Sequence, residues 1–181
     1  MIFQETRLQG AFIIEPARLD DERGFFARIY CERELAGHGI AFNCVQGNIS
    51  FNRQKGTLRG MHYQLNPHAE AKLVRCTMGA IFDVIVDLRP ASSTYAQWIA
   101  AELTADNRRT LYVPEGFAHG FQALADNTEI SYLMSTAYVA ESSAGISWND
   151  PDLNINWGVN SPIISEKDQQ AIDFKSFTSL F

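Results

Sequence analysis

The sequence predicts an all-β sandwich or barrel, and three observations lead to that fold class. From Gly10 to about Trp157, short runs rich in β-branched, aromatic and other apolar residues follow one another. Turn-forming residues separate these runs at short intervals, as is typical of antiparallel sheets. Hydrophobic residues make up 46% of the chain, which is enough for a buried core and excludes a disordered chain. We interpret residues 1–181 as one domain whose C-terminal segment, from about residue 160, packs on the barrel.

Nine runs carry the strand prediction, and their length between turn signals is typical of strands that turn one face inward. In chain order they are GAFIIEPARL, VQGNISF, TLRGMHYQ, AKLVRC, AIFDVIVDL, WIAAEL, RTLYVPEG, HGFQAL and EISYLMSTAYV. Two short helices are predicted outside these runs. One lies in the segment Cys31–Ile40 and would end at Gly37 or Gly39, because glycine commonly terminates helices. The other covers Ser165–Phe174.

The charge and the cysteine content exclude several classes of protein. The net charge of −6 gives no basic field for binding nucleic acid, although a local basic cluster for a small phosphate ligand is compatible with it. Cys31, Cys44 and Cys76 have no CxxC spacing, which is typical of reduced thiols in a cytoplasmic protein. The chain shows no signal-peptide pattern and no apolar stretch of membrane-spanning length. We therefore expect a cytoplasmic protein with no membrane partner.

The run TLRGMHYQ combines an arginine and a histidine on one predicted strand. Strict alternation would place His62 on the same face as Leu58 and Gln64, with Arg59 on the opposite face. A β-bulge at Gly60 would turn Arg59 and His62 toward one cavity, since a bulge re-aims the side chains beside it. A single histidine in a strand is nevertheless more often a structural residue than a catalyst.

The next predicted strand places a lysine among apolar residues. Lys72 alternates with Leu73 and would share a face with Val74 and Cys76. A buried lysine without a partner is costly, so two interpretations are open. Lys72 either reaches from the strand end to water, or it serves as the cation of a functional site.

Two further patterns have a structural and a functional interpretation. VPEGFAHGF resembles half of the metal signature of cupin barrels, with His119 as the candidate ligand, but the pair of histidines that forms the other half is missing. A transition metal usually has three or four protein ligands, so we expect no metal.

Tyr132 and Tyr138 are six residues apart, which would place both on one face of a regular strand. Burial in the core is the default for such tyrosines.

Seven segments together resemble the dTDP-4-dehydrorhamnose 3,5-epimerase family over nearly the whole chain. They occur in the order DERGFF, QGNIS, TLRGMHYQ, KLVRCTMGAIFDVIVDLR, LYVPEGFAHGF, ISWNDPDLNINW and SEKD. The resemblance implies a jelly-roll barrel of the cupin type that works as a homodimer without metal or other cofactor. It also implies a nucleotide-sugar substrate, a 4-keto-6-deoxyhexose whose two carbons beside the ketone are inverted through an enolate.

The resemblance also implies a role for individual residues. His62 would be the base, Lys72 the cation at the enolate oxygen and Tyr132 the proton donor on the opposite face. Asp168 would orient the histidine, and Tyr138 would stack on the nucleobase. The remaining substrate contacts implied by the resemblance are Arg23, Gln46, Asn48, Arg59, His119 and Lys167.

Two substrate-contacting positions depart from the family pattern. Family members usually carry glutamate where this chain has Arg28 and Ser143, although Glu141 lies two residues before the second. Both departures concern recognition of the nucleobase or the sugar and leave the base, the lysine and the acid in place. Three alternatives therefore stay open. They are an epimerase that inverts one carbon or uses another nucleotide, a metal-dependent cupin enzyme, and a non-catalytic sugar-nucleotide binding module.

Overall fold

The computed structural model describes residues 1–158 and 161–177. Within these ranges the chain forms thirteen strands and two short α-helices, α1 (Glu32–Ala36) and α2 (Glu166–Gln169). The strands are β1 (Ile2–Glu5), β2 (Phe12–Glu15), β3 (Arg18–Asp21), β4 (Gly24–Ala27), β5 (Gln46–Asn52), β6 (Leu58–Gln64), β7 (Lys72–Met78), β8 (Ala80–Asp87), β9 (Trp98–Thr104), β10 (Thr110–Val113), β11 (Phe117–Ala123), β12 (Thr128–Met134) and β13 (Ser143–Gly145). Neither helix is long and apolar enough to cross a membrane.

The strands form two antiparallel sheets and one separate hairpin. The six-stranded sheet has the order β1-β2-β10-β7-β12-β5, and the five-stranded sheet has the order β13-β6-β11-β8-β9. Among the described residues, strands β3 and β4 pair only with each other. Two antiparallel sheets with this crossed strand order form a jelly-roll barrel, so the predicted fold class is confirmed.

The core lies between the two sheets and follows from the alternation along their strands. Val74 and Cys76 of β7 point inward from the six-stranded sheet and are fully buried. Ile81 and Ile85 of β8 meet them from the five-stranded sheet. Burying an aliphatic side chain of this size contributes roughly 1.5–3 kcal/mol, so this shared core holds the sheets together. The inward face of β7 is the one predicted for Lys72.

Each sheet is also covered on part of its outer face. Leu35 of α1 is fully buried against β2, β7 and β10 on the six-stranded sheet. Leu153, Ile155 and Trp157 follow β13 and pack on the five-stranded sheet. Residues 161–177 also contact that sheet, because Ile163 forms a parallel bridge with Thr57. It stays a prediction that the chain is one domain and that this domain includes the whole segment from about residue 160.

Several element boundaries differ from the prediction for identifiable reasons. The run GAFIIEPARL forms two strands, β2 and β3, because Pro16 cannot donate to a sheet ladder. The first helix ends at Gly37, as predicted. The second helix was predicted to reach Phe174 but ends at Gln169, because Ile172 forms a bridge with Ile146 instead. Strand β12 ends at Met134, so it does not include Tyr138.

Candidate active site

A cavity of about 360 Å³ opens between the inward faces of the two sheets, and a second cavity of about 380 Å³ adjoins it. His62, Lys72 and Tyr132 line both cavities, so the two form one site around these residues. The rest of the first lining is Gln46, Asn48, Gln64, Glu70, Met134, Tyr138, Ser143 and Lys167. The second adds Ile49, Ser50, Phe51, Arg59, His119 and Phe121.

A β-bulge in β6 brings Arg59 and His62 to this site. His62 pairs with His119 on β11, and Arg59 pairs with Phe121, so two residues of β6 oppose only Gly120. Gly60 has a φ of +137°, and a Cβ there would lie 2.5 Å from the Cα of Gly120. Glycine is therefore needed where the two backbones approach. The predicted bulge at Gly60 is confirmed, and both side chains line the site.

His62 is held from behind by Asp168. The Nε2 of the histidine lies 2.7 Å from Oδ1 of the carboxylate. An ionised carboxylate only accepts hydrogen bonds, so Nε2 carries a proton, and in the neutral tautomer Nδ1 keeps the lone pair. Burial acts to raise the pKa of Asp168, but the hydrogen bond and charge of His62, together with the bonds from Gly60 and Ser165, lower this pKa below its ordinary value. This carboxylate stays ionised at neutral pH and stabilises a positive charge on the imidazole.

A short helix delivers Asp168 to this position. Ser165 caps α2, since its side-chain oxygen accepts the backbone N–H of Asp168 at 3.1 Å. The backbone N–H of Gly60 also donates to the Asp168 carboxylate, at 3.4 Å. The preceding residue on the same helix, Lys167, lines the cavity. The segment SEKD thus supplies both an orienting carboxylate and a cation.

Lys72 has a buried partner that the sequence analysis missed. Its Nζ lies 2.9 Å from Oε1 of Glu70, and each of the two residues is only 7% exposed. The interpretation in which the lysine reaches from the strand end to water is therefore wrong. Glu70 lies two positions before Lys72 in the sequence. Because burying a lysine without a partner is costly, a nearby acidic residue could have been predicted as its partner.

Tyr132 presents a hydroxyl that keeps its proton. Burial raises the pKa of this phenol above its ordinary value of 10.0, and the charge of Glu70 raises it further, while Arg59 acts in the opposite direction. The phenol is thus a proton donor across the neutral range. Tyr132 lies on β12, which pairs with β7, so its side chain enters the site from the six-stranded sheet, whereas His62 enters from the five-stranded sheet.

A second histidine–carboxylate pair lies beside the first. Nε2 of His119 is 2.7 Å from Oδ1 of Asp83, and both residues are buried. Asp83 was not predicted as a site residue, although a carboxylate within the apolar run AIFDVIVDL indicates a buried partner. Within residues 1–158 and 161–177, no three histidine, cysteine or acidic side chains come together as a group that could hold a metal ion.

The far end of the cavity is polar and carries an exposed aromatic ring. The backbone N–H of Tyr138 donates to Oε1 of Gln46 at 2.9 Å, and Nε2 of Gln46 donates to Asn48 at 3.0 Å. Tyr138 is 52% exposed and Ser143 lies nearby in the same lining. Tyr132 and Tyr138 line the same cavity, but the prediction that both lie on one face of a strand is wrong, because Tyr138 follows β12 rather than belonging to it. Burial in the core, the default expectation, is also wrong for the exposed Tyr138.

Arg23 and Arg28 do not line either cavity in the described part of the chain. Arg23 lies between β3 and β4 and pairs with Asp21 at 2.6 Å, with its side chain almost fully exposed. Arg28 follows β4 and pairs with Glu34 of α1. A glutamate at position 28 would face the Glu34 carboxylate in this arrangement, so the arginine fits its surroundings here.

Comparison with known proteins gives one consistent family. The family model described as dTDP-4-dehydrorhamnose 3,5-epimerase matches residues 5–176. The enzyme of that name from Sinorhizobium fredii is 44% identical over 169 residues, covering 93% of this chain and 87% of its own. The crystal structure of the Bacillus anthracis enzyme, with TDP and pyrophosphate bound, has a TM-score of 0.92 and 43% identity, covering 96% of this chain and 99% of its own.

A third relative was solved with a nucleotide-sugar. It is the dTDP-6-deoxy-D-glucose-3,5-epimerase of Legionella pneumophila in complex with dTDP-4-keto-L-rhamnose. The TM-score is 0.91 and the identity 36%, over 98% of this chain and 94% of the other. The relatives therefore match both the fold and nearly the full length of the chain.

Proposed function

The chain belongs to the dTDP-4-dehydrorhamnose 3,5-epimerase family and is an epimerase, and on that premise we propose its substrate and the task of each site residue. The substrate is dTDP-4-keto-6-deoxyglucose, and the product is dTDP-4-keto-L-rhamnose. The reaction inverts C3 and C5, the two carbons beside the ketone at C4. Each inversion removes a proton from one face of the sugar and returns a proton to the other.

His62 removes the proton in this proposal. In the neutral ring Nδ1 is the nitrogen with the lone pair, because Nε2 donates to Asp168 at 2.7 Å. When Nδ1 takes the proton from carbon, the ring becomes a cation, and the neighbouring carboxylate stabilises that charge. Asp168 also fixes the orientation of the ring, so that the lone pair faces the cavity.

Lys72 stabilises the enolate. Loss of the carbon-bound proton moves negative charge onto the oxygen at C4, and a fixed cation close to that oxygen lowers the barrier. Lys72 is suited to this task because it is nearly buried, and charge interactions are stronger away from water. Its bond with Glu70 holds the ammonium group in place before the substrate arrives.

Tyr132 returns the proton on the opposite face. A single base that gave back its own proton would exchange it and keep the configuration, so inversion needs a second group. Tyr132 enters the site from the sheet opposite His62, and its raised pKa keeps the hydroxyl protonated until the enolate accepts that proton.

The rest of the lining binds the nucleotide and the sugar. Arg59 and Lys167 supply the positive charge that a diphosphate needs, and the planar guanidinium can bond two of its oxygens. The exposed ring of Tyr138 stacks on the nucleobase. The remaining contacts are Gln46, Asn48, His119 and Ser143.

The enzyme works as a homodimer in the cytoplasm. Leu19 and Phe26 of the β3–β4 hairpin and Ile49 of the edge strand β5 are all more than two-thirds exposed. A dimer would cover these apolar side chains. It would also bring the hairpin of one subunit to the cavity of the other, where Arg23 and Arg28 could contact the nucleotide. The three free thiols support a reducing compartment.

The observation that carries the proposal is the convergence of an oriented histidine, a buried lysine and a protonated tyrosine on one cavity. Incubation with dTDP-4-keto-6-deoxyglucose in heavy water tests it, with deuterium read at each carbon by NMR. We expect deuterium at both C3 and C5 together with the L-rhamnose product, at a rate unchanged by a metal chelator. Deuterium at one carbon alone would favour a single-carbon epimerase, and none at either would contradict the proposal.

A further inference from the structure

The carboxylate of Glu70 has acceptor capacity that the protein does not use. Its Oε1 accepts one bond, from Lys72 at 2.9 Å. Its Oε2 is shielded from solvent and has no hydrogen-bond partner among the described residues. A carboxylate can accept about four hydrogen bonds, and a buried acceptor left without a donor is costly. Such an oxygen in a native structure needs an explanation.

Glu70 lies in the reaction site rather than in the core of a sheet. It lines the same cavity as His62, Lys72 and Tyr132. Its charge also raises the pKa of the Tyr132 hydroxyl, which places the carboxylate within electrostatic reach of the donor. The other cations of the site, Arg59 and Lys167, make no ion pair with it in the described ranges. The missing donor is therefore expected from what the cavity binds.

We propose that Glu70 accepts a hydrogen bond from the hydroxyl on C3 of the bound sugar and so selects sugars that carry it. This inference rests on the proposed function, in which Lys72 contacts the oxygen on C4. The carboxylate of Glu70, which is hydrogen-bonded to Lys72, then lies beside a substituent of C3 or of C5. C3 carries a hydroxyl, whereas C5 carries a methyl group that cannot donate. The terminal torsion of a glutamate is broad and roughly two-fold, so the carboxylate can turn its spare acceptor toward the sugar.

The test compares two nucleotide-sugars with the same nucleotide, the 4-keto-6-deoxyhexose and the 4-keto-3,6-dideoxyhexose that lacks the C3 hydroxyl. Deuterium exchange at C5 is measured for both, because removal of that proton does not require a hydroxyl on C3. The wild-type enzyme should prefer the hydroxylated sugar in kcat/KM by roughly 10- to 100-fold, the range for a hydrogen bond to a charged group.

The variants separate recognition from support of Lys72. Glu70→Ala should remove the preference between the two sugars, and Glu70→Gln should keep part of it, because an amide oxygen still accepts a bond. Glu129→Gln is the matched control, since Glu129 lies outside the cavity and bonds Thr77 on a neighbouring strand. It should leave the preference unchanged.

Two results would overturn the inference. The first is equal kcat/KM for both sugars with the wild-type enzyme, a measurement that does not depend on any variant folding. The second is a Glu70→Ala enzyme that is slower on both sugars by the same factor and keeps the wild-type preference, which would mean that Glu70 only holds Lys72. A wild-type enzyme that exchanges neither sugar would instead contradict the proposed function.

Discussion

At the scale of single residues, two of the three reactive groups of the site each have one neighbour that fixes their charge or their direction. Asp168 fixes the tautomer of His62, and Glu70 fixes the position of Lys72. Tyr132 differs, because burial and the charge of Glu70 hold its proton in place. In the proposed mechanism, the base and the donor are thus prepared for opposite tasks before the substrate binds.

Tyr132→Phe should separate proton removal from inversion. The variant keeps the ring and loses only the hydroxyl, so His62 can still form the enolate against Lys72. Deuterium exchange in heavy water should therefore persist, while net epimerisation falls by roughly 10²–10⁴-fold, the contribution typical of a general acid. NMR of one reaction measures both quantities.

Two outcomes would change the assignment of the donor. Native rates of inversion in Tyr132→Phe would mean that another group donates, with Tyr138 or a water molecule as the next candidates. Loss of all exchange would mean that the tyrosine is needed to form the enolate, a task that we give to Lys72. Exchange without inversion is the only result that fits the proposed roles.

At the scale of elements, the bulge in β6 and the short helix α2 decide which residues reach the site, whereas no residue of the β3–β4 hairpin, which the structure describes in full, lines either cavity. The bulge at Gly60 re-aims Arg59, and α2 presents Asp168 and Lys167 one after the other. The hairpin is different, since it pairs with no other strand in the described ranges and exposes apolar side chains. A partner subunit is the expected cover for those side chains.

Phe26→Asp should weaken the proposed dimer. Phe26 is 69% exposed on the hairpin, and a symmetric interface would lose its burial twice. The dissociation constant should rise by roughly 10²–10³-fold, measured by analytical ultracentrifugation over a range of concentrations. Ile2→Asp places the same charge on the exposed face of β1, which is the edge of the six-stranded sheet opposite to β5. This control variant should leave the dimer intact. A monomeric wild-type protein would contradict the proposed dimer, and dissociation by the Ile2 variant alone would place the interface elsewhere.

The sequence predicted the elements that local patterns determine and missed those that depend on contacts distant in the chain. Alternation was sufficient for the inward face of β7, and a glycine in a strand was sufficient for the bulge of β6. The end of α2 was missed because Ile172 pairs with Ile146, 26 positions away in the chain. The family resemblance supplied Asp168, since no spacing rule connects it with a histidine more than a hundred residues earlier. Glu70 and Asp83 were missed because Lys72 and His119 were not considered together with the acidic side chains that could pair with them.

At the scale of the whole molecule, an acidic protein carries a locally cationic cavity. The net charge is −6, yet Arg59, Lys72 and Lys167 all face the space between the two sheets. The two sheets supply opposite walls, with His62 on one and Tyr132 on the other. In the proposed mechanism, a barrel built this way would hold a flat enolate between a base and an acid, which is the arrangement that inversion needs.

The central claim is that His62 is the base for both carbons, and His62→Ala tests it most directly. The variant is compared with His38→Ala, whose histidine stacks on Phe3 away from the cavity. With dTDP-4-keto-6-deoxyglucose in heavy water, His62→Ala should show neither deuterium at C3 or C5 nor any product. His38→Ala should match the wild type at both carbons. Deuterium that still enters C3 or C5 at the native rate in His62→Ala would contradict the account, because another group would then be removing that proton.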